Sequence, residues 1–372
     1  MKKSILLLFS LFLFVSLVSH ANTDTDKDLK AGFQMGDPGV KSINSLAFGP
    51  EGILFIGDSK RAEIIAIDTK DNTSGKAAEK LNFSNIDEHI AAMLGTTKDD
   101  IIIQDMAVNP VSKAIYLAVH MKDGTPVIIK TNGKDFEAIQ LSPISHSKIG
   151  LNKAIAEDAK DRRGRSMRNW AISDLAYYEG KVMVSGLSSE EFASTFRSIP
   201  FPFNEKQMHA SLEIYHAAHG QYETHSPIKT FMPYKLNGKD HLIASYTCTP
   251  LVVVPLNDFK AGQHTKGKTV AELGNRNTPL DIISYENNGK SYILMANSSR
   301  ALMKIDPAKI EQYDDYLTKP VEGSSETAGV EFIALPYVNV LQLDKLDDKR
   351  VVMLQRMANG DLNLHAANNS RL

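Results

Sequence analysis

The chain has 372 residues, 42% hydrophobic and 23% charged, with 42 Lys+Arg against 44 Asp+Glu and a single cysteine. Such a composition excludes a disordered chain, a collagen-like repeat and a disulfide scaffold, and the near-zero charge balance excludes nucleic-acid recognition through a basic field. The length suits either two average domains or one large closed β architecture.

The first element is a leader. Met1, Lys2 and Lys3 precede an apolar run from Ile5 to Val18 that is too short for a stable transmembrane helix. Ser19 and Ala21 are small residues at the two positions signal peptidase reads, so residues 1–21 are expected to be a signal peptide. Residues 22–372 then form one exported domain, periplasmic or secreted and mildly acidic. No later run approaches about 18 apolar residues, so no stable membrane insertion is expected. Cys248 lies far beyond the leader, which leaves neither a lipid anchor nor a disulfide within the chain. Asp24, Asp26 and Asp28 imitate the start of a calcium loop, but Leu29 stands where that loop needs glycine and Met35 where it needs glutamate.

Beyond the leader, apolar strand pairs closed by turn signals recur six times: residues 43–68, 104–130, 172–186, 231–255, 280–306 and 338–365. Anchors at Leu46, Met106, Leu175, Met232, Ile282 and Leu341 recur at roughly 50 to 70 residues, the span of one four-stranded blade with insertions. The pattern predicts an all-β chain, a β-propeller of six blades, or seven if an irregular blade lies between residues 187 and 230. Residues 31–35 are left over before the first unit and are expected to complete the last blade. Short rim helices are predicted after Ser84, over residues 85–94, and from Pro307 to about Tyr316.

The segment Leu46-Ala-Phe-Gly-Pro-Glu-Gly-Ile-Leu-Phe-Ile-Gly-Asp58 resembles the first half of a blade in NHL-type, gluconolactonase/paraoxonase-like and YncE-like propellers. The resemblance covers most of the mature chain as architecture. It implies ligand sites on the face where blade-entry loops and second-to-third-strand loops gather. Its members include lactonases, lyases, quinoprotein dehydrogenases and binding modules, so fold does not choose an activity.

Those loops supply the candidate site. Arg168, Arg276, Arg300 and Arg356 are forks suited to carboxylate or phosphate, and Asn275, Asn277 and Asn297 can orient a polar ligand. Asp105, Asp174 and His225 complete the set. Each arginine can instead pair with Asp105, Asp174 or Asp281 and tie neighbouring blades together. Residues 160–168 form a basic run that is either a solvated insertion or a cover over the channel. Four histidines fall between residues 209 and 225. His216 and His219 are expected on opposite faces of one strand, whereas Glu223 and His225 share a face and are the candidate metal or acid/base pair.

The leading expectation is a monomer that binds a small anionic or polar molecule at the channel mouth, with no nucleic-acid partner. The alternatives are a propeller enzyme, either a metal-dependent hydrolase or lyase or a quinone-dependent dehydrogenase, and a protein-interaction platform. The residues name no cofactor. No nucleophile elbow, P-loop or dinucleotide fingerprint occurs.

Overall fold

Apolar residues on both faces of a strand need cover on both sides, and the six repeats meet that demand by packing as antiparallel sheets around a channel. The computed structural model describes residues 28–248, 250–322 and 327–372; the leader and the calcium-loop imitation at Asp24 and Asp26 lie outside them. It is a six-bladed β-propeller. The inner strands are Ser45–Phe48, Ile101–Val108, Asp174–Tyr178, Ile228–Leu236, Pro279–Asn287 and Val340–Asp347, which head the first to sixth blades in chain order. Residues 187–230, where a seventh blade was the alternative, instead supply Ser194–Pro200, Met208–His216 and the edge strand Gln221–Glu223 to the third.

The strand Ile53–Asp58 shows why the blades stack. Its side chains alternate, and Ile53 and Phe55 enter one apolar seam with Leu175, Val182 and Val184 of the third blade. Leu54 and Ile56 enter another with Ala107, Tyr116 and Ile128 of the second. Phe55 stacks on Tyr177 at 5.6 Å and meets Phe201 edge-on at 4.8 Å.

The first blade therefore lies between the second and the third, and the ring order departs from the chain order. Inner strands of the second and sixth blades also touch, as do those of the third and fourth, fourth and fifth, and fifth and sixth. The chain leaves the first blade after three strands and lays Asn82–Phe83 against Leu362–Asn368 as the outermost strand of the sixth. It then builds the second blade and only afterwards returns with Ile144–Gly150 as the fourth strand of the first. Gln34–Gly36 adds a fifth strand there. The last blade is thus closed by Asn82–Phe83 and not by the N-terminal segment. Helix α1, Ile86–Met93, follows at once and buries Ile86, Ile90 and Ala91 in the seam with Leu362 and Leu364, which holds the closing strand in place.

Helix α2, Pro307–Glu311, is capped by the Asp306 carboxylate, which accepts from the Ala308 amide at 3.0 Å. It stops before Tyr316, where Asp314 and Asp315 would set negative charge against the negative end of the helix. Among the described residues no helix is long and apolar enough to cross a membrane.

Candidate ligand site at the channel mouth

The N-terminal ends of the inner strands open into a cavity of about 900 Å³. Ser42, Asn44, Gln104, Ser173, Lys229 and Thr278 reach it from the blade-entry loops, and Lys60, His120 and Thr247 from the second-to-third-strand loops. This is the face the repeat points to. Two of these side chains are delivered by β-bulges: the register slips between Ile103 and Asp105 and between Ile228 and Thr230, so Gln104 and Lys229 are the extra residues. A bulge re-aims one side chain without disturbing the ladder beyond it.

The basic run folds over the mouth. Lys160 bridges Ser166 across a tight loop, Arg165 pairs with Asp161 at 2.6 Å, and Arg165, Met167 and Trp170 line the cavity from above. Lys60 and Lys229 form no salt bridge with a described residue. His120 accepts the Ile43 amide on Nε2 at 2.8 Å, which places its proton on Nδ1. Burial and the Lys60 ammonium lower its pKa, so it is a neutral donor at pH 7. The mouth is therefore rich in donors and is lined by two lysines that make no salt bridge with a described residue.

Beneath it the channel narrows among four half-buried carboxylates. Asp105 accepts its own following amide, Met106, at 2.8 Å and the Leu46 amide of the neighbouring blade at 2.6 Å. Asp174 does the same for Leu175 and Phe231, Asp281 for Ile282 and Leu343, and Asp344 for Lys345 and Val108. Each clamps two blades through backbone amides. Burial and then Asp174 push Asp105 up to about 7, against its amide partners and Lys229. Burial likewise raises Asp344 to about 6 and lifts Asp174 and, well above its ordinary value, Asp281.

The other sequence-derived candidates are dispersed. Arg168 donates to the carbonyls of Lys60 and Ile155 and lines a neighbouring pocket of about 1020 Å³. Asn277 donates to Asn297 at 2.7 Å, and Asn297 in turn donates to the Met295 carbonyl, a buried clamp within the fifth blade. Arg300 packs on Gly274 and donates to the Asn275 carbonyl. Arg276 is exposed, two residues from Thr278 of the cavity wall, and its guanidinium has no hydrogen bond to a described residue. Arg356 is exposed and donates to the Gly360 carbonyl in a hairpin. Glu223 and His225 separate: His225 contacts Thr224 and lines the mouth, while Glu223 turns the other way toward His216 and His219.

Those two histidines meet, contrary to the strand reading. The strand ends at His216, and the turn over residues 217–220 brings His219 back until the ring centroids are 3.8 Å apart. The Glu272 carboxylate stabilises this turn by accepting the successive amides of Ala217 and Ala218 at 2.8 and 3.2 Å. Sequence reasoning passed over Lys60 and Lys229. A lysine inside the apolar run Ile228-Lys-Thr-Phe-Met232 was the available signal for the second.

No protein-family model matches the chain, and no curated protein matches its sequence. Among solved structures, the chain is similar to the PQQ-bound aldose sugar dehydrogenase of Streptomyces coelicolor, with 12% identity over 90% of this chain and 97% of that one and a TM-score of 0.35. It is also similar to a bifunctional GH43-CE protein of Bacteroides eggerthii, with 11% identity over 78% of this chain and 34% of that one and a TM-score of 0.35. Identities and scores this low assign no role to any residue of this chain.

Proposed function

We propose that this propeller, exported by its leader, binds a small organic anion at the channel mouth. The observation that supports the reading is that Lys229, and Lys60 at the border with a neighbouring pocket, line a cavity of about 900 Å³ without a salt bridge to a described residue. Lys229 is half-buried, and such a cation gains most from an ionised partner held away from bulk water. The Nδ1–H of His120 and the side chains of Asn44, Gln104 and Ser42 offer further polar contacts, and Trp170 offers an apolar face to a ligand's carbon skeleton. Arg276 is placed to add a peripheral contact as the ligand enters. Asp105 below, with a pKa of about 7, is only partly ionised at neutral pH, which limits how far it consumes Lys229.

A thermal-shift screen of hydroxy acids, dicarboxylates and sugar phosphates, with neutral monosaccharides as controls, tests the class of ligand. Anions are expected to raise the melting temperature, and the shift is expected to shrink as salt is added. A panel in which only the neutral sugars stabilise the protein would contradict the reading.

A further inference from the structure

We propose that His216, His219 and Cys248 hold one divalent metal ion of the zinc class, with Glu223 orienting the imidazoles. One ligand atom from each of the three lies within 4.8 Å of the others. Tetrahedral zinc with metal–nitrogen bonds of about 2.0–2.1 Å and a metal–sulfur bond of about 2.3 Å spaces its ligand atoms by roughly 3.3–3.6 Å, so small side-chain rotations close the set.

The cluster also has the defect a metal would repair. His216 is 1% exposed, and neither of its ring nitrogens makes a well-directed hydrogen bond to a described residue. Its Nδ1 lies 3.1 Å from Glu223 Oε1, and its Nε2 lies 3.9 Å from Glu272 Oε2. Buried imidazole nitrogens are rarely left so. Glu223 is itself fixed: Oε1 accepts from His219 Nδ1 at 2.6 Å and Oε2 from Ser226 Oγ at 2.7 Å. A carboxylate set behind the Nδ1 side of two imidazoles is the arrangement that orients histidine ligands and raises their basicity. It leaves Nε2 of each ring as the nitrogen available to an ion. Two imidazoles and a thiolate favour zinc over calcium or magnesium, which take oxygen ligands.

The fold explains how ligands distant in sequence meet. The hairpin of the third blade brings together residues 216, 219 and 223, and the second-to-third-strand loop of the fourth blade brings Cys248. The ion would pin these two blades together on the face that carries the mouth. Thr247, adjacent to Cys248, lines that cavity. The His219 side chain is 47% exposed, which gives the ion a route in from solvent.

The test is a titration of the full mature chain, stripped with a chelator, by Co²⁺ and then Zn²⁺. The expected result is one ion per chain, a thiolate-to-cobalt charge-transfer band that Zn²⁺ displaces, and a higher melting temperature with metal bound. Cys248→Ser should lose the band, and His219→Ala, changed at a half-exposed ring, should lose stoichiometric binding while remaining folded. Glu223→Gln should weaken binding by roughly 10- to 100-fold. A wild-type protein that shows no thiolate band and no zinc-dependent shift would overturn the proposal. So would a folded His219→Ala variant that binds Zn²⁺ as tightly as wild type; in either case His216 is simply held between carboxylates.

Discussion

Asp105 is pulled two ways. Two backbone amides and Lys229 favour its ionised form, while desolvation and the neighbouring Asp174 favour the neutral one, and the balance sets its pKa at about 7. A carboxyl whose folded pKa lies above its unfolded value binds more protons in the folded state. Its contribution to stability is complete below the unfolded value near 4 and is lost as pH rises through about 7. Urea unfolding at a series of pH values should therefore show stability falling from pH 4 to 7 through this group. Asp105→Asn should make that fall shallower. The same variant should cost about 1–3 kcal/mol at pH 5–6, because an amide side chain cannot accept from both the Leu46 and Met106 amides. A variant with the wild-type pH slope would show that Asp105 does not titrate in this range. The sequence offered Asp105, Asp174 and Asp281 as ties between blades, but through arginines; the structure has them tie blades through backbone amides. The partners were not visible, because a free amide at a blade seam leaves no mark in residue types.

At the scale of elements, the alternation within Ile53–Asp58 determines which neighbours the first blade meets. Phe55 fills the seam with the third blade and is fully buried, so Phe55→Ala is expected to cost about 3–5 kcal/mol in chemical denaturation. A loss below 1 kcal/mol would mean that the aromatic group around Tyr177 and Phe201 can collapse into the space. The loop at Gly274 is constrained differently. Its φ is +98°, and an added Cβ would stand 2.4 Å from the Arg300 guanidinium carbon. Gly274→Ala should therefore lower the melting temperature, whereas Gly238→Ala, with φ +72° and open space around it, should suffer only the backbone strain. Strands were legible because period-2 apolar runs bounded by turns have few other readings. The bulges at Gln104 and Lys229 and the end of a strand at His216 were not. Each is a one-residue departure decided by hydrogen bonds to distant segments, and those departures build the mouth and bring the histidines together.

At the scale of the whole molecule, six repeats implied six blades, but their order round the ring was not deducible from spacing. It depends on two outer strands, Asn82–Phe83 and Ile144–Gly150, that pair away from their sequence neighbours. The closing strand has only two paired residues and leans on α1. Hydrogen exchange should accordingly be fast at Asn82–Phe83 and slow in Ile53–Asp58 and Ile115–Met121, whose residues are nearly all buried. Uniform protection of all strands would mean that closure is as firm as the core.

The anion site proposed at the mouth rests on Lys60 and Lys229, and the chain's single tryptophan, Trp170, lines that cavity and reports on it directly. The decisive measurement is a tryptophan-fluorescence titration of wild type, Lys60→Gln and Lys229→Gln with the anion that gives the largest thermal shift. Wild type is expected to bind saturably and each variant with affinity lower by roughly ten- to a hundred-fold, with the apo melting temperature of Lys60→Gln unchanged. Equal affinity in all three proteins, or no fluorescence change with an anion that stabilises the protein, would contradict it.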